Sequence, residues 1–152
     1  MNQNEIKLLN SYEDDWNKFA KEGLGVRLDR KQREILESMQ INRRTSVRSG
    51  HAAGKDYVAA VGSLCFLYLN IPSKVINTAP TDRQVINIMM SEIGKIYRNS
   101  KINLGGDLWT HKITFSEDSD WFLLGFKTKD KKPEDWTGFH SPNLMVVVTE
   151  AS

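Results

Sequence analysis

The chain has too few cysteines to cross-link itself: Cys65 stands alone, which excludes an internal disulfide and any metal site built from thiolates of this chain. A single cysteine in an apolar stretch reads as a buried core thiol on a helix. No apolar run is long enough for a bilayer. The longest, Tyr57 to Leu69, is interrupted by Gly62 and Ser63 and falls short of the roughly 20 residues a membrane helix needs. The start, Met1 to Asn10, lacks the basic and apolar regions of a secretory leader, so the expectation is a cytoplasmic protein with no membrane partner. Prolines number only 4, and no Pro/Gly/Ser tract, low-complexity segment or internal repeat marks a boundary. The 152 residues, 39% hydrophobic, therefore read as one domain. Charge of one sign is scarce too: a net +2 neither supports nor excludes a nucleic-acid partner. The densest basic stretch, Lys127, Lys129, Lys131 and Lys132, reads as a solvated loop.

What is present is a regular alternation of elements. Ile6, Leu9, Tyr12, Trp16, Phe19 and Ala20 recur at helical spacing, with Gly23 and Gly25 as stops, and Asp29 is placed to cap a second helix from Arg30 to Met39. The first 40 or so residues are thus expected to be a helical lead-in. A short strand is expected over Thr45 to Arg48, then a glycine turn and an apolar helix from Lys55 to Leu69. Lys74 to Thr78 predicts a second strand, and Asp82 to Tyr97 a helix with Val85, Ile86, Met89, Ile93 and Ile96 inward. Trp109 to Phe115 and Trp121 to Phe126 flank an acidic turn and predict a β-hairpin. Leu144 to Val148 is continuously apolar, which predicts a strand buried on both faces of a parallel sheet. The class is α/β, as a three-layer sandwich around a mainly parallel sheet. Trp109, Trp121 and Trp136 read as core or hairpin packing rather than base-stacking platforms.

Two segments carry chemistry. Arg48-Ser49-Gly50-His51-Ala52-Ala53-Gly54-Lys55-Asp56 lies between a predicted strand and a predicted helix and matches a P-loop at Gly54-Lys55. Small residues there let backbone N–H groups wrap phosphates, the helix start adds partial positive charge, and the lysine reaches the terminal phosphates. The pattern departs from the usual one twice: Ser49 replaces the first glycine, and Asp56 replaces the hydroxyl that holds magnesium. A glycine-rich turn without a ligand is the competing reading. The second segment, Leu144 to Ala151, has the form of a Walker B strand ending in Glu150, where a carboxylate can orient or deprotonate water. The residue before it, where aspartate is usual, is Thr149. Hydroxyl and carboxylate are thus exchanged between Asp56 and Thr149, so the pair keeps one of each for magnesium, unless the exchange marks a lost function.

With these segments in order, the chain resembles the N-terminal ATPase domain of the large subunit of tailed-phage terminases, the motors that package viral DNA. Arg48 to Asp56 is similar to their Walker A, Thr78 to Val85 to the segment after their second strand, and Val146 to Ser152 to their Walker B. The resemblance runs from Leu24 to Ser152 and implies a P-loop NTPase fold of the ASCE type. It implies ATP and Mg2+ as cofactors, with Lys55 on the β- and γ-phosphates and Glu150 as the catalytic carboxylate. Gln32 would read the adenine edge, Arg48, Ser49, Gly50, His51, Ala52, Ala53 and Gly54 would line the nucleotide, and Asp56 and Thr149 would face the metal. The implied partners are double-stranded DNA, a terminase small subunit, a portal protein and further copies of the chain, in the host cytoplasm.

The same resemblance makes a further core strand, a coupling motif and a nuclease domain the expected continuation, since the sequence stops two residues after Glu150. Such a strand would lie between Thr45 to Arg48 and Leu144 to Val148, which are therefore not expected to be neighbours. Two other functions stay open at this level: a non-hydrolysing fragment that serves as an assembly module, and a helicase-like P-loop ATPase.

Overall fold

The computed structural model describes residues 1–48, 52–128 and 142–149. Helix α1 (Gln3–Asn10) starts at Asn2, whose side chain accepts from the Glu5 N–H at 2.8 Å. The single long helix expected through Ala20 is interrupted over residues 11–15. Ser11, Asp14 and Asp15 belong to the residue types that hydrogen-bond nearby backbone and favour caps over helix interiors. Ser11 Oγ bonds back to the Leu8 carbonyl, and Asp15 caps a new start by accepting from the Lys18 N–H at 3.0 Å. That start, α2 (Trp16–Lys18), widens into π-helical turns over Phe19–Leu24 and ends at Gly25, whose φ of 74° is a left-handed conformation suited to glycine. Helix α3 (Arg30–Ile41) begins in a full capping box: the Asp29 side chain accepts from the Gln32 N–H, and the Gln32 side chain accepts from the Asp29 N–H.

The central helix is α4 (Ala52–Leu69), with Val58, Ala60, Val61, Leu64, Cys65, Leu67 and Tyr68 buried. Cys65 is a fully buried core thiol, as its surroundings in the sequence predict. Strand β1 (Lys74–Ala79) follows, buried along its whole length. Wide helical turns over Arg83–Met90 then continue into α5 (Ser91–Asn99). Two short strands, β2 (Asp107–Leu108) and β3 (Lys112–Thr114), lead to β4 (Phe122–Lys127), and β5 (Leu144–Val148) completes one five-stranded sheet of order β2-β3-β4-β1-β5. β4 and β5 flank β1 in parallel, while β2, β3 and β4 run antiparallel to one another in turn. The chain is therefore α/β with a mixed sheet and a parallel centre. The hairpin is present as β3–β4, and its connection closes on stacked Phe115 and Trp121 rings, 3.4 Å between centroids, with Tyr68 edge-on to both. Trp121 Nε1 donates to the Leu67 carbonyl.

Alternation along the strands separates two sheet faces. Val75, Ala79, Ile113 and Leu123 belong to the main core, and Asn77 on the same face accepts from Ser63 of α4. Gly125, the register partner of Asn77, abuts Val85 and Met90, so α4 and the Arg83–Met90 turns share that face. On the opposite face Lys74, Ile76 and Thr78 are buried as well; the connection over 129–141, from β4 toward β5, lies outside the described residues.

Two strand expectations are corrected. Leu144, Val146 and Val148 are 38%, 43% and 59% exposed and Met145 and Val147 between them are half-buried, so β5, an edge strand among the described residues, is not buried on both faces. Thr45 to Arg48 forms no strand: it pairs with none of the five strands, and a segment without a partner for its N–H and C=O groups makes no ladder. Among the described residues no helix is long and apolar enough to cross a membrane.

Candidate functional site

The best-defined contact among the predicted site residues joins Gln32 to Gly54. Gln32 Nε2 donates to the Gly54 carbonyl at 3.3 Å, bridging 22 residues of sequence and fastening the first turn of α3 to the first turn of α4. Its Oε1 already accepts from the Asp29 N–H at 3.0 Å, so the capping box fixes the plane of the amide. One N–H and one lone pair of that amide remain, a complementary pair able to meet a ligand edge. Gly54 has no backbone need for glycine: its φ is not positive, and among the described residues a Cβ there would meet only Gln32 Nε2, at 3.7 Å. Space kept open beside a Gly-Lys turn at a helix start is what close approach of a phosphate requires.

Lys55 and Asp56 follow in the same turn, both half-buried. Burial raises the Asp56 pKa above the usual carboxylate value; the Lys55 ammonium opposes this, and the Glu92 carboxylate from α5 adds to it. Thr149 follows the end of β5 and is held by its N–H donating to the Thr78 carbonyl at 3.0 Å. No hydrogen bond or ion pair joins Asp56 to Thr149, and among the described residues no group of three or more His, Cys, Asp or Glu gathers to hold a metal. No chemical step is derived through a metal. Arg48 is exposed. Ser49, Gly50, His51 and Glu150, and the side chains of Ala52 and Ala53, lie outside the described residues, as do Trp136, Lys129, Lys131 and Lys132.

The carboxyl ends of the parallel strands, where α/β sheets place ligands, hold residues the sequence did not single out. Thr78 and Thr128 pair their hydroxyls at 3.3 Å, and Thr128 Oγ1 donates to the Ala79 carbonyl. Lys127 ends β4 and pairs with Asp82 at 3.3 Å rather than sitting in a solvated loop. Threonines and a lysine at strand ends carry no sequence signal of their own; the parallel register alone gathers them. Gln84 is used locally: its Oε1 accepts from the Thr81 N–H and hydroxyl, capping the turns that follow. Arg83 beside it is exposed. Asn77 is a second omission. It is 1% exposed, and its Nδ2 has no hydrogen-bond partner among the described residues.

Comparison with protein-family models, with curated proteins and with solved structures gives no match to this chain. The class that fold and site define is an α/β domain with a parallel sheet centre, whose central helix begins at a Gly-Lys turn bonded to a glutamine of the preceding helix.

Proposed function

We propose that this chain is the nucleotide-binding part of a P-loop ATPase of the terminase large-subunit kind, which moves double-stranded DNA into a viral procapsid. The observation that carries the reading is the Gln32–Gly54 hydrogen bond: two positions assigned from sequence to adenine and to phosphate lie within 3.3 Å of one another. Strand order supports it as well. β5 pairs with β1 in parallel, which puts the end of the Walker B-like segment beside the carboxyl end of β1.

In this reading Gln32 holds the adenine edge with its remaining donor and acceptor, and Gly54 leaves room for phosphate. Lys55 neutralises the terminal phosphates, and Glu150, just beyond β5, orients the attacking water. Bound ATP supplies the phosphoryl group whose transfer to water drives movement. Asp56 and Thr149 are the chain's offer to a magnesium ion. The partners proposed are duplex DNA, a small subunit, a portal and further copies of the chain. A second reading, a non-hydrolysing assembly module, is favoured by the exposed apolar side chains Leu144, Val146 and Val148 of β5.

Titration with a fluorescent ATP analogue tests the first reading. Lys55→Ala is expected to weaken binding roughly tenfold or more, the cost of a lost charge-assisted hydrogen bond of about 1.5–3 kcal/mol. Equal affinity in wild type and Lys55→Ala would remove the P-loop reading. If nucleotide binds through Lys55 and phosphate release by residues 1–152 stays at background, the assembly-module reading gains.

A further inference from the structure

A groove of about 480 Å3 runs between α5 and the turn from β2 to β3, at the sheet edge opposite β5. Its apolar walls come from Ile86, Met90 and Leu108, and Trp109 stands at its mouth, 54% exposed. The indole is held rather than loose. Its Nε1 donates to Thr114 Oγ1 at 3.1 Å, the Trp109 N–H donates to the Lys112 carbonyl at 2.8 Å, and Lys112 Nζ lies over the ring, 5.6 Å from its centroid. Across the groove is Arg98, exposed, with no hydrogen-bond or ion-pair partner among the described residues. No carboxylate lines the groove.

Gly94 forms part of the lining. It sits inside α5 with no positive φ, and the atoms nearest to a Cβ there are those of the Arg98 guanidinium, 3.1 Å away at the end of a flexible side chain. A glycine inside a helix is destabilising relative to alanine, and neither the backbone nor the packing of this chain calls for one here. The missing side chain keeps the groove open beneath the guanidinium.

We propose that this groove docks an acidic peptide segment of a protein partner, a bulky apolar side chain entering between Ile86, Met90 and Trp109 while an adjacent carboxylate pairs with Arg98. Charge complementarity selects this occupant: two cations, Arg98 and Lys112, border an apolar groove that lacks an acid, and a planar guanidinium suits a carboxylate. A half-exposed, hydrogen-bonded tryptophan beside an apolar groove is the kind of anchor on which such contacts concentrate. A nucleic acid would instead need a basic path continuing beyond the groove to follow its backbone.

The test is an NMR titration of the whole chain, reading the Trp109 indole resonance identified by its loss in Trp109→Phe. The probes are the capped peptide acetyl-Glu-Leu-Glu-Phe-Glu-amide, its lysine-for-glutamate counterpart, and an oligothymidylate. The expected result is a saturable shift with the acidic peptide, binding at least tenfold weaker with the lysine peptide, and reversal of that preference in Arg98→Glu. Gly94→Leu, which fills the groove from a helical position, should abolish the shift while the rest of the spectrum stays folded. No shift, a preference for the acidic peptide that survives Arg98→Glu, or displacement of the peptide by the oligothymidylate would overturn the proposal.

Discussion

Asp56 shows how one substitution in a motif changes the physics of a site. Its carboxyl is raised in pKa chiefly by burial, with Glu92 adding to the effect against Lys55. A carboxyl with a raised folded-state pKa favours the folded state while protonated, below its unfolded value, and that contribution is lost as pH rises through the folded pKa. At neutral pH the charged Asp56 therefore destabilises the free protein. Asp56→Asn should melt higher than wild type at pH 7.5, with the difference closing toward pH 3; a difference independent of pH would show that the burial of charge is not its cause. Asp56 itself was legible, because it stands where a motif expects a hydroxyl. Glu92 was not, since it lies 36 residues further on and meets Asp56 only through helix packing.

At the level of elements, periodicity placed α3, α4, β1 and the β3–β4 hairpin, because each carries its own apolar spacing or turn. It joined α1 to α2 because Tyr12 and Trp16 continue the same apolar face, and the capping chemistry of Ser11 and Asp15 outweighed that spacing. Gly125 shows an element boundary condition invisible in sequence. It sits inside β4, where a Cβ would come within 2.9 Å of Val85 and 3.2 Å of Met90. Gly125→Ala should therefore destabilise by about 1–3 kcal/mol through overpacking, read as a fall of several degrees in Tm. An unchanged or higher Tm would mean that the Arg83–Met90 turns can shift away from the sheet without cost.

For the whole molecule, the decisive feature is the edge at β5. Residues 143–149 carry no charge, Leu144, Val146 and Val148 are exposed, and among the described residues β5 pairs on one side only. Natural sheet edges are commonly protected by charge, proline or a bulge; this strand has none of the three, and its unpaired backbone groups can template another strand. Concentration-dependent association is expected in sedimentation velocity, and Val146→Lys should shift the population toward monomer with little loss of stability, since that side chain is 43% exposed. Identical sedimentation of the two proteins across the concentration range would place association, if any, on another surface.

The sequence by itself determined the α/β class, the helical and strand identity of the strongly periodic segments, the buried single thiol and the place of the Gly-Lys pair at a helix start. Each of these rests on neighbours in the chain, through 3.6- or 2-residue periodicity or through a local cap. Only the tertiary structure decided that Gln32 bonds Gly54, that Thr78 and Thr128 meet at the strand ends, that Arg98 faces Trp109, and that β5 rather than Thr45 to Arg48 lies beside β1. The same run of apolar residues suits a central or an edge strand, and the exposed side chains of β5 follow from which neighbours the sheet supplies, a non-local pairing that periodicity does not encode.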